Sequence, residues 1–167
     1  MHTTVLEESV LSLAPTFTAD PETTRKFYER LKGWDTLPVK QLGTERGPFS
    51  EADIDQQFDE FHKWLALTLA HRNYLIPIPD LLDEVWHFHI LFTEDYAAMC
   101  QAVDGEFFHH RPRNIANDDD GRPWDLNYDL YATVFGERPL NFWPSLEGKG
   151  KGDCGRCDCC TKCKKAP

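Results

Sequence analysis

Residues 76–112 read IPIPDLLDEVWHFHILFTEDYAAMCQAVDGEFFHHRP. This stretch holds four of the seven histidines (His87, His89, His109 and His110), together with Cys100 and the densest apolar run of the chain. Pro79 suits the first turn of a helix, and Asp80, Asp83 and Glu84 put negative charge near its positive end. From Leu81 to Phe92 apolar side chains point to nearly every side, which predicts a helix covered by neighbours all round. Thr93, followed by Glu94 and Asp95, reads as an N-cap that restarts a helix through Tyr96, Met99 and Cys100. Gly105 is its natural stop. Beyond it, Phe107 to Pro112 reads as extended, since a helix does not continue past Pro112.

Working outward, Ser50 with Asp53 resembles a capping box and predicts a helix to about His71. Its apolar face carries Phe58, Phe61, Leu65 and Leu69, with His62 on the same stripe. Asp20-Pro21-Glu22 starts an earlier helix that carries Phe27, Tyr28 and Leu31 and ends at Gly33. Residues 33–49, with three glycines and two prolines, read as a long loop. Thr4 to Leu13 reads as a short amphipathic helix. On the other side, Asp118-Asp119-Asp120-Gly121 is a turn signature, and a last helix runs from Asp125 to Phe135 with Gly136 as its stop. No segment alternates Val, Ile and Thr over strand length. The expected fold is therefore all-α, a compact bundle of four to six helices over residues 1–147, followed by an irregular Cys-rich tail over 148–167.

At 167 residues, 41% of them apolar, the chain is long enough for one domain with a real core. Its net charge of −10 is unevenly placed. Residues 148–167 carry six Lys/Arg against Asp153 and Asp158, giving +4 and leaving −14 for the rest. An acidic body argues against nucleic-acid binding. No apolar run approaches a bilayer span, so no membrane association is expected. The first residues, MHTTVLEESV, have neither the basic nor the apolar region of a signal peptide, which points to the cytoplasm and reduced thiols. A protein partner is left open, with no surface to name it.

Two groups of residues carry chemistry. In the tail, Cys154, Cys157, Cys159, Cys160 and Cys163 lie within ten residues. Crowded thiolates repel one another, so such density reflects a soft metal or disulfides. The pairs Cys154/Cys157 and Cys160/Cys163 sit closer together than in a zinc ribbon and read as a thiolate cluster for Zn(II) or Cu(I). The reading beside it is a reduced tail with no metal.

The second group is histidine-based. Residues two apart on a helix point about 200° apart, so His87 and His89 cannot both face one ion. His87 shares a face with Asp83, the arrangement of a metal ligand beside a carboxylate or of a general base with its orienting acid. His89 points to an apolar side and reads as structural. Of His109 and His110 only one turns inward. Asp83, His87 and His110, with His62 arriving from the neighbouring helix, would form a mixed N/O centre suited to Zn, Fe, Mn or Ni. The bland reading is that these histidines only hydrogen-bond and pack.

The pattern Asp83-x-x-Trp86-His87-x-His89, then Thr93-x-x-Tyr96, Gly105 and His109-His110-x-Pro112, resembles the bacterial and plant glycine-rich domain-containing protein-like family. Phe58-x-x-Phe61 and Tyr131-x-x-x-Phe135-Gly136-x-x-Pro139-x-x-x-Trp143 extend the likeness to roughly residues 25–163, although the tail here is rich in cysteine rather than glycine. The resemblance brings little mechanism with it, but it implies that His110, before x-Pro, is the inward-facing histidine of the pair. The expected function is a metal-binding helical module with a soft-metal tail, the ion being Zn, with Cu or Fe as alternatives. A metal-dependent enzyme using the histidine core, and a structural interaction domain, are the competing readings.

Overall fold

The computed structural model describes residues 18–74, 76–110 and 124–143. Among them are six helices and no strand: α1 (Pro21–Lys32), α2 (Leu37–Arg46), α3 (Ile54–Ala70), α4 (Asp80–Ile90), α5 (Thr93–Val103) and α6 (Trp124–Phe135). The all-α expectation holds. Among the described residues no helix is long and apolar enough to cross a membrane.

The organising element in space is α3, which packs against α1, α2, α4 and α6. Phe58, Phe61, Trp64, Leu65, Ala66, Leu67 and Leu69 are buried along it. Each such large apolar side chain contributes about 1.5–3 kcal/mol on burial. Polar groups fix its neighbours in register. The Trp64 indole N–H and the Asn127 amide both donate to the Pro77 carbonyl, at 3.1 and 2.9 Å, joining α3 and α6 to the segment before α4. Gln57 donates to the Leu81 carbonyl at 2.8 Å. Glu60, buried on α3, accepts on one oxygen from the Tyr131 hydroxyl at 2.8 Å and the Trp143 indole at 2.7 Å, while Lys63 meets its other oxygen.

Several ends follow their residues. The Asp20 carboxylate caps α1 by accepting from the Thr23 N–H at 2.9 Å, with Pro21 in the first turn and Gly33 at the C-cap. Gly105 and Gly136 stop α5 and α6 at φ +84° and +83°, a region that residues with a side chain rarely enter.

Four local expectations are corrected. Residues 37–46 form a helix rather than a loop. Pro38 lies in its first turn, where the missing N–H costs nothing, and Gly43 supplies a gap into which Phe49 packs. The start of α3 falls at Ile54, directly after a turn at 51–53, with no side-chain cap. Thr93 is the first residue of α5 and not its cap; Phe92 holds that position. Finally, α4 is not covered all round: Leu82, Val85, Trp86 and His89 are buried, while Asp80, Glu84, His87 and Leu91 form an exposed stripe at helical spacing. That stripe carries the candidate site. The Thr4–Leu13 helix, the acidic turn at 118–121 and the Cys-rich tail lie outside the described residues.

Candidate metal centre

Asp83 and His87 stand one turn apart on α4, so their side chains emerge on the same side. His110 comes from elsewhere. After α5 stops at Gly105, residues 107–110 run back without regular structure across the outer side of α4.

Aromatic packing and two hydrogen bonds hold that return. The Trp86 ring stacks on Phe108, with centroids 5.0 Å apart and planes at 19°, and meets the His110 ring edge-on at 4.2 Å. The Trp86 indole donates to the Tyr96 hydroxyl at 2.8 Å, and that hydroxyl donates to the Phe108 carbonyl at 2.6 Å. Burial pushes the Tyr96 phenol well above its ordinary pKa, so it stays a neutral donor.

The result is a convergence of three groups. His110 Nε2 lies 2.9 Å from one oxygen of Asp83, and His87 Nδ1 lies 3.6 Å from the other. The two imidazoles face each other with centroids 4.3 Å apart. One ligand atom from each of Asp83, His87 and His110 lies within 4.8 Å of the others. The His110 side chain is 10% exposed, Asp83 21% and His87 54%, so the group is anchored on one side and open on the other. Two imidazole nitrogens and a carboxylate suit borderline ions such as Zn and Fe(II), and three protein ligands leave coordination positions free.

His62 does not join them. Its ring lies beside Phe58 and Phe61, and His89 flanks Phe58 as well. A helical angle gives the direction of a side chain on its own helix, not the depth at which two helices cross. Burial first, and then the charge of His89, push His62 down to about 3, so the ring is neutral. His89 is fully buried and its Nε2 lies 2.9 Å from the Asp95 carboxylate, which also accepts from the Trp34 indole. A carboxylate only accepts, so Nε2 carries the hydrogen and Nδ1 keeps a lone pair; no protein partner meets it. Burial lowers the pKa of His89 as well. His109 points outward and its ring meets Phe107. Cys100 is buried against Tyr96 and Phe108, and burial raises its thiol pKa, so it is inert packing.

Beside the three groups runs an open groove of about 680 Å³, lined by Pro48, Glu84, His87, Phe88, Ile90, Leu91 and His110. Sequence reasoning missed it. Its one legible sign is Glu84, His87 and Leu91 at helical spacing on α4, with an apolar residue where a solvated face would be polar.

A family model described as UCP032817-like matches residues 24–124. The chain belongs to the UCP032817-like family. The match runs from α1 to the start of α6 and takes in Asp83, His87 and His110. It overturns the resemblance to the glycine-rich domain-containing family. Several of the residues behind that resemblance, Trp86, His89, Tyr96 and Gly105, build the α4–α5 corner and its turn. Such positions specify a helical corner more than one family's chemistry. No curated protein and no solved structure matches this member of the UCP032817-like family.

Proposed function

We propose that the chain is a metal-binding helical module in which Asp83, His87 and His110 hold one borderline divalent ion, Zn first and Fe or Cu as alternatives. The convergence of two imidazoles and a carboxylate from separate elements supports this reading above all. His110 is delivered by a buried aromatic corner, an arrangement that preorganises a ligand and is not needed for a solvated surface contact. The ion would replace the proton that His110 and Asp83 share, and His87 would swing a short way to complete the set. The five tail cysteines form the second part of the proposal, a thiolate cluster for a soft ion.

The open face of the group and its neighbouring groove favour a second reading, a metal-dependent enzyme. The ion would act there as a Lewis acid or lower the pKa of bound water. The Asp83–His110 hydrogen bond favours the third reading, in which the histidines only tie the corner together. Metal analysis separates the last from the first two. The test compares the full chain with one in which Cys154, Cys157, Cys159, Cys160 and Cys163 are replaced by serine, each with and without His110→Ala. A core centre keeps its ion in the serine variant and loses it with His110→Ala.

A further inference from the structure

We propose that the groove beside Asp83, His87 and His110 binds a small apolar molecule with a single anionic oxygen-donor head, the head on the ion and the body along Pro48, Phe88, Ile90 and Leu91. The inference rests on the metal reading above. Four of the seven lining residues are apolar, and the polar ones are His87, His110 and Glu84. The volume falls within the range of small-molecule sites. Leu91 is 72% exposed and Ile90 half-buried, an apolar rim that a ligand would cover.

Charge selects the head. Two imidazole nitrogens and one carboxylate would leave a divalent ion with a net positive charge, and a further ligand would approach it from the groove that His87 and His110 line. An anionic oxygen head satisfies both. Glu84 is exposed on the lining and repels a second acidic group, so a monoanion fits and a diacid does not. The lining at Phe88 is firm. A Cβ on Gly43 or Gly47 would fall within 3.3 Å of the Phe88 ring, which also meets Phe49 edge-on, so Phe88 is held against α2.

The probes are octanohydroxamate and acetohydroxamate, which share a head and differ in their apolar body. Their affinities are measured by calorimetry on the full chain loaded with Zn(II). The longer probe should bind at least about tenfold tighter, the gain from burying only about two methylenes. Leu91→Asn removes the apolar rim without adding charge; it should bring the ratio of the two affinities down toward unity through weaker octanohydroxamate binding, with zinc content as in the parent. Equal affinities in the unaltered chain, or a ratio that Leu91→Asn leaves intact, would overturn the inference and leave the metal reading standing. Hydroxamate binding that survives His110→Ala would place the responsive zinc elsewhere. The metal reading would then fall, and this inference with it.

Discussion

His110 and Asp83 are 27 residues apart in the chain, yet His110 Nε2 lies 2.9 Å from an Asp83 oxygen. The contact exists because α5 stops at Gly105 and the returning segment is pinned onto Trp86. A residue behind the site therefore controls a residue in it, and the first prediction follows from that link.

Tyr96 joins Trp86 to the Phe108 carbonyl and does not touch Asp83 or His87 among the contacts of its hydroxyl. Tyr96→Phe keeps the ring but leaves the Trp86 N–H and the Phe108 carbonyl without their partner. The expected loss is about 1–3 kcal/mol of stability, read from urea denaturation. Metal affinity should fall as well, since the segment carrying His110 loses an anchor. A variant as stable as the parent would show that the relay holds nothing.

Gly43 sets two effects against each other. Alanine should stabilise a helix interior by about 1 kcal/mol over glycine. A Cβ at this position, however, would lie 2.3 and 2.8 Å from two Phe49 ring atoms and 3.3 Å from Phe88. Forcing those rings apart costs about 1–3 kcal/mol, so Gly43→Ala should come out destabilising on thermal melting. Stabilisation would mean that Phe49 moves freely.

This competition is also why α2 was illegible in the sequence. Pro38, Gly43 and Gly47 read locally as breakers, and the partners that make Gly43 useful, Phe49 and Phe88, lie outside the helix. By contrast, α1 and α6 carry local boundary signals, the start at Asp20-Pro21 and the stops at Gly33 and Gly136, and are legible. The site divides in the same way. The Asp83–His87 pair is set by one helical turn, and Gly105 signals a return that brings His110 back. The exclusion of His62 depends on the packing of α3 against α4, which no spacing within either helix encodes. The resemblance to the glycine-rich domain-containing family fails at the same boundary, because it rests largely on residues that build the α4–α5 corner.

A third prediction concerns pH. Folding moves His62 from an ordinary value of 6.5 to about 3, through burial first and the neighbouring charge of His89 second. Lys40 acts in the same direction and Asp59 opposes it. Between those values the unfolded chain binds a proton that the folded chain does not, so stability rises with pH across this window. The contribution is complete above about 6.5 and is lost as pH falls toward 3. Replacing His62 with Gln should flatten the dependence by on the order of 1 kcal/mol per pH unit. Denaturant titrations of both proteins from about pH 7 to 4.5 would show it; parallel curves would mean His62 is not buried and neutral.

The central claim is that Asp83, His87 and His110 form one metal centre. The most direct measurement is calorimetric titration of Zn(II) into the full-length chain whose five tail cysteines are serine, repeated with His110→Ala. The expected result is a single tight site whose affinity falls as the solution is acidified, because both imidazoles must be neutral to ligate. His110→Ala should weaken it by about a hundredfold or more, since removing even a supporting group costs roughly 10–100-fold. A serine variant that takes up no zinc, or one whose zinc affinity His110→Ala leaves unchanged, would contradict the claim and leave these residues a packing corner.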